Sequence, residues 1–223
     1  MIHATFGGLA GDGVLDAFLS ATRLDAARAF RVFRDTRRFE LATEVDFIVR
    51  APGQDVLARF SHPGHWAVSL EPKVSLTSLD GRHLRGERAA APVEEYVEFF
   101  KRNDAVQVLA RFSSPHLDAW ARSGVDFPFI HTPLIRASSR QGVKVYDAGS
   151  AATALERALK QNFAGVAHLR GGAVLASEGD IRDVTELMLL VEQAAEVELL
   201  SELWTRPGRL ERRREEERAP SWA

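Results

Sequence analysis

One domain of mixed α and β structure is the fold class that this sequence predicts, and three observations predict it. The spacing of apolar residues switches repeatedly between three-to-four and two, so helices and strands interleave along the chain. No internal repeat or low-complexity linker divides the 223 residues, a length that suits one large domain at roughly 150 residues per domain. Hydrophobic residues at 45% and charged residues at 27% match a globular chain able to bury one core without a metal or disulfide staple. The domain is read as residues 1–205, with 206–223 as a charged tail.

Residues 1–12 are Gly-rich and read as a loose lead-in. From Gly13 to about Asp35, Val14, Phe18, Ala21, Leu24 and Ala27 recur at helical spacing, which predicts one buried stripe. In Thr43 to Arg50 the period is two, with Val45, Phe47 and Val49 on one face. Ala51-Pro52-Gly53-Gln54 is a turn signal and Asp55 to Phe60 a returning strand, so a hairpin is expected. A second turn at Ser61-His62-Pro63-Gly64-His65 precedes a strand at Val74 to Leu79, which turns again at Asp80-Gly81. Pro92 opens a helix to about Arg102, where proline is best tolerated. Ala105 to Phe112 alternates as a central strand does, and Pro115 to Ser123 reads as a short helix.

Further on, Phe127 to Ile135 and Val143 to Tyr146 are strand candidates. Ser150 is a good N-cap for a helix from Ala151 to Gln161. Val166 to Leu169 and Ala173 to Ala176 are strands flanking Gly171-Gly172. Asp180 caps the longest helix, whose stripe is Ile181, Val184, Met188, Val191, Ala195, Leu199 and Leu203. Beyond Pro207, Arg209 to Arg218 is a dense mixed-charge run, the pattern of a solvated segment.

Composition excludes several function classes. The net charge is −2, so the chain is not a globally basic nucleic-acid binder. In the tail, Arg212-Arg213-Arg214 is balanced by Glu215-Glu216-Glu217. Cysteine is absent, which removes disulfides, thiolate zinc sites, a Cys nucleophile and cysteine-ligated clusters. No apolar run approaches the roughly 20 residues that span a bilayer. The first residues carry no basic n-region or apolar h-region. A cytoplasmic protein with no membrane and no nucleic-acid partner is expected. Neither a GxGxxG nor a Walker A pattern occurs, and Ser113-Ser114 lacks the G-x-S-x-G context of a nucleophile elbow.

Three stretches carry a resemblance. Asp147-Ala148-Gly149-Ser150 leads into a helix, then a strand pair runs through Val166-Ala167-His168-Leu169-Arg170-Gly171-Gly172-Ala173-Val174-Leu175, and Gly179-Asp180-Ile181 opens a long Glu- and Ala-rich helix. Ser78-Leu79-Asp80-Gly81-Arg82-His83-Leu84-Arg85-Gly86 forms a second motif, and Leu109-Ala110-Arg111-Phe112-Ser113-Ser114-Pro115 a third. Together, over about residues 14–204, they resemble the class II aldolase/adducin family, with its "DLDG…G" hairpin and its "HxHSP" strand end. The resemblance implies an α/β (α+β) three-layer fold: a large, mostly antiparallel sheet between helices. It also implies a homotetramer with sites at subunit boundaries.

The family's zinc is held by three histidines, and this chain departs from all three. At the "HxH" it has Arg111 and Ser113, or Ala110 and Phe112 if the register slips by one; at the "HG" it has Gly172-Ala173. A catalytic zinc needs three donors and an open fourth position, so no metal and no cofactor are expected at the family position. Arg111 brings instead a permanent charge and a fixed fork of donors, suited to a carboxylate or phosphate; as a structural residue it would serve an ion pair. Thr43-Glu44 replaces the family's first phosphate-binding pair, and a glutamate there repels phosphate. Ser61-His62-Pro63-Gly64 resembles the family's second phosphate turn; Gly64 allows close backbone approach, and His62 and His65 add charge below about pH 6.5.

Glu94 falls best at the family's acid/base glutamate. It is read as a proton shuttle, or as a favourable first-turn acid. A rebuilt metal site is open among His62, His65, His116 and His131. His168 lies four residues before Gly172, which puts it about 13 Å away along a regular strand. The reading is therefore a class II aldolase-like protein lacking the zinc triad and metal-dependent aldolase activity, with a binding or assembly role. The alternative is a metal-independent enzyme acting on a small anionic metabolite, such as a sugar phosphate or keto acid, with Glu94 as catalytic group and Arg111, Ser113, His62 and Gly64 binding substrate.

Overall fold

The computed structural model describes residues 8–38, 45–64, 67, 69–87 and 93–205. Among these residues a nine-stranded sheet in the order β4-β3-β2-β1-β5-β9-β8-β7-β6 runs through the centre. Its strands are β1 (Asp46–Arg50), β2 (Val56–Ser61), β3 (Lys73–Ser78), β4 (His83–Gly86), β5 (Val108–Phe112), β6 (Phe127–Pro128), β7 (Gly142–Tyr146), β8 (Gly165–His168) and β9 (Ala173–Ser177). Among the described strands β7 and β8 are the one parallel pair, and their connection is accordingly a helical crossover. The helices are α1 (Gly8–Thr36), α2 (Glu94–Arg102), α3 (Pro115–Ala121), α4 (Thr132–Ala137), α5 (Ala151–Lys160) and α6 (Ile181–Thr205).

Period-two alternation sorts the strand side chains into two cores. Phe47, Val49, Ala58, Phe60, Ala110 and Phe112 meet α1, α3, α4 and α6 on one face. Ile48, Leu57, Leu109, Val166 and Val174 meet α2 and α5 on the other. The expected three layers, helices on both sides of a mostly antiparallel sheet, are present. Arg111 sits between Ala110 and Phe112 and so belongs to the α2–α5 face. The predicted caps also form. Ser150 Oγ accepts from the Thr153 N–H at 3.2 Å. Asp180 Oδ1 accepts from the Arg182 and Asp183 N–H groups, while Asp183 Oδ2 accepts from the Asp180 N–H, a reciprocal capping arrangement.

Three expectations are corrected. Residues 8–12 belong to α1 rather than to a loose lead-in; each glycine costs about 1 kcal/mol in a helix, a penalty that a 29-residue helix docked elsewhere absorbs. The buried stripe of α1 is Leu19, Ala26, Ala29, Phe30 and Phe33, while Val14 and Leu24 are exposed. Alanines on both sides of this helix make two apolar stripes available, and the one bearing phenylalanines packs on Phe47. The Phe127–Ile135 strand is only Phe127–Pro128. Proline has no N–H for the ladder, and Pro133 then starts α4, which buries Leu134. Residues 206–223, Thr43-Glu44, His65 and Pro92 lie outside the described residues, as do the side chains of Leu203 and Trp204. No helix among the described residues is long and apolar enough to cross a membrane.

Candidate functional site

A cavity of about 550 Å³ opens at one end of the sheet on the α2–α5 face, and Arg111, Ser113 and Gly172 all line it. Each arrives there for a local reason. Arg111 and Ser113 are at the end of β5, where Ser114 stops the strand and caps α3 by accepting the Leu117 N–H. Gly171 and Gly172, at φ 107° and 86°, fold the chain back between β8 and β9, a left-handed path that favours glycine. The first turn of α5, entered through Gly149 and Ser150, forms a third wall.

The turn also brings His168 beside Gly172: its N–H donates to the Gly172 carbonyl at 2.8 Å. The separation expected for a regular strand does not apply, because β8 ends at His168. His168 Nδ1 accepts from the Arg170 N–H at 3.1 Å, so Nε2 carries the proton and donates to the Asp147 carbonyl at 3.1 Å. The His168 ring meets Tyr146 edge to face at 4.9 Å.

The glutamate at this cavity is Glu95, not Glu94. Glu94 is exposed at the start of α2, whereas Glu95 lines the cavity and accepts from the Ala152 N–H of α5 at 3.4 Å. A carboxylate at a helix N-terminus is a favourable dipole pairing. Sequence reasoning also misses both tyrosines of the chain. Tyr96 and Tyr146 line the cavity, and burial pushes both phenols above the usual range. Glu95 pushes them in the same direction and Arg111 pulls them back. One lies in α2 and the other at the end of β7, far apart in sequence, so no local spacing connects them.

Arg111 stands opposite Asp46 in the β1–β5 ladder, with Nη1 3.6 Å from Asp46 Oδ2. Asp46 is buried and also takes Arg59 Nη2 at 2.6 Å. Behind the cavity, Asp118 Oδ1 accepts from the Gly172 N–H at 2.9 Å, and Asp118 Oδ2 from the Ser114 N–H at 3.3 Å. Burial raises the Asp118 pKa, and these two N–H groups oppose the rise.

His62 and Gly64 do not line this cavity. His62 packs edge to face on Phe30 of α1 at 4.9 Å, and its Nδ1 accepts from the Gly64 N–H at 3.1 Å. His116 Nδ1 lies 2.7 Å from the buried carboxylate of Glu192, and His131 Nε2 lies 3.0 Å from Glu198. Among the described residues no three His, Cys, Asp or Glu side chains gather to hold a metal ion. Arg111, Ser113 and Gly172 offer a guanidinium, a hydroxyl and a bare Cα, which do not fit a zinc centre of imidazole, thiolate or carboxylate donors, and Glu95 and His168, which also line the cavity, belong to no cluster of three donors.

No protein-family model and no curated protein matches the chain. Solved structures do. An L-fuculose 1-phosphate aldolase superposes with a TM-score of 0.68 at 13% identity, over 83% of this chain and 88% of that one. The L-fuculose-1-phosphate aldolase of Thermus thermophilus gives 0.64 at 17%, over 82% and 96%. An aldolase II superfamily protein from Pseudomonas syringae gives 0.57 at 12%, over 81% and 75%. The architecture of this chain is thus the class II aldolase-like fold.

Proposed function

We propose that this chain is a class II aldolase-fold protein that lacks the zinc triad, has no metal-dependent aldolase activity, and binds a small anionic metabolite. The observation that carries the reading is the convergence of Arg111, Ser113 and Gly172 on one cavity, the three positions that match the fold's metal-binding motifs in sequence. Arg111 supplies the charge for a carboxylate or phosphate, and Ser113 a hydroxyl beside it. A cavity of this size accommodates a small metabolite. The same reading extends to a cytoplasmic homotetramer. The exposed Val197 and Leu200 of α6 and Ile130 and Ile135 in and beside α4 support a subunit contact, since apolar surface of this kind marks interfaces.

The test is calorimetric titration of the protein with sugar phosphates and keto acids, beside an Arg111→Ala variant. Binding by the wild type that is lost in Arg111→Ala supports the reading. Equal binding by both, or stoichiometric zinc held in the purified protein, overturns it.

A second reading is favoured by Glu95 and Tyr146, which line the same cavity as Arg111. In a metal-independent enzyme Glu95 would take the role expected of Glu94 and accept a proton from the ligand. Arg111 would stabilise the negative charge that develops, Tyr146 would give the ligand its own phenolic proton, and protonated Glu95 would then reprotonate the phenolate, restoring both groups. Solvent deuterium exchange into a bound keto acid, abolished in Glu95→Gln, distinguishes this enzyme from a binding protein.

A further inference from the structure

Arg111 is not alone with its cavity. Strand register sets Asp46 directly across from it on β1. On the other side of β1, Asp46 pairs with Ser61, which leaves Arg59 on the diagonal, within reach for a long side chain. Both arginines address the same atom: Asp46 Oδ2 is 2.6 Å from Arg59 Nη2 and 3.6 Å from Arg111 Nη1. The side chains of Asp46 and Arg59 are 3% and 6% exposed, whereas that of Arg111 is 24% exposed. One short charge-assisted hydrogen bond thus lies inside the protein, and one looser ion pair lies at the cavity wall.

We infer that Asp46 and Arg59 are positioning residues that set the anion affinity of Arg111, with opposite signs. The inference rests on the reading of the cavity as an anion site. Asp46 is a built-in competitor: an incoming phosphate or carboxylate must share the Arg111 fork with it. Arg59 weakens that competition, because a carboxylate oxygen already engaged at 2.6 Å holds a second guanidinium less strongly. The result is an arginine kept in place by Asp46 yet left available to ligand. In this low-dielectric setting the competition has a large effect, since a unit charge near 4 Å acts far more strongly there than in water.

The test uses inorganic phosphate as the probe, titrated calorimetrically into the full chain. Asp46→Asn removes the competing charge and is expected to tighten phosphate binding roughly tenfold. Arg59→Met leaves Asp46 to Arg111 and is expected to weaken it by a similar factor. Asp46→Asn together with Arg59→Met removes both charges at once, so that neither is left buried and unpaired, and is expected to bind more tightly than the wild type but less tightly than Asp46→Asn, because the Arg59 charge itself attracts the anion. The double variant keeps the test intact if a single one fails to fold. A merely structural pair would weaken binding in every variant, and that result overturns the inference. If Arg111→Ala loses phosphate but the Asp46 variants show no gain, the anion site stands and the inference falls. If neither the wild type nor any variant binds phosphate, the inference falls, and the anion site falls with it when keto acids fail to bind as well.

Discussion

Asp118 ties the glycine turn to the start of α3, its Oδ1 accepting the Gly172 N–H at 2.9 Å. Burial raises the Asp118 pKa above its ordinary 3.8, with the nearby Glu192 adding to the rise. A carboxyl whose folded-state pKa is raised contributes stability fully present below its unfolded pKa and lost as pH rises through the folded value. Urea unfolding of wild type and Asp118→Asn, followed from about pH 3.5 upward through that raised value, should show the wild type losing stability relative to the variant. A constant difference across the window contradicts the assignment.

Glu95 and Arg111 act on the same two phenols with opposite sign. Because Tyr96 and Tyr146 are the only tyrosines, absorbance titration reads the cavity directly. Glu95→Gln should move the phenol titration to lower pH and Arg111→Ala to higher pH. Identical curves for all three proteins would place the charges elsewhere.

The lack of a cluster of three metal donors among the described residues predicts indifference to metal. Added zinc followed by chelation should leave the melting temperature unchanged, because no binding energy is linked to folding. A large fall on chelation would require a zinc site in the protein after all.

Ser150 caps the helix whose first turn forms one wall of the cavity. Ser150→Ala should cost about 1 kcal/mol of stability, measured by urea unfolding. A neutral effect would show that the cap is replaced by solvent.

For assembly, sedimentation equilibrium at micromolar concentration should give about four chains per particle, and Val197→Asp with Leu200→Asp should lower that number. A compact monomer of 24.7 kDa removes the homotetramer.

Much of the fold is legible in the sequence because it is written in local periodicity. The alternation around Phe47 and Leu109, the Ser150 cap and the Asp180 cap each depend on residues within a few positions. The α1 stripe is not, because two faces of that helix carry apolar residues, and only the tertiary partner Phe47 selects between them. Strand order brings Arg111 and Gly172 together as the motif resemblance implies. It also brings in Glu95, Tyr146 and Asp46, which no motif joins. Glu94 and Glu95 differ by one position in sequence but by about 100° around a helix, so one faces water and the other the cavity.

Gly172 also bears on what this site could be made to hold. A Cβ added there would meet nothing closer than the Phe112 carbonyl oxygen at 4.0 Å, so a larger side chain has room. The backbone is the obstacle: φ is 86°, where a side-chain-bearing residue costs roughly 1–2 kcal/mol, and Asp118 holds the N–H in that path. Exchanging Arg111, Ser113 and Gly172 for histidines would therefore supply donors without a turn built to aim them. A metal site here would ask for a re-routed loop and a changed Asp118 as well, which substitutions at those three positions do not supply.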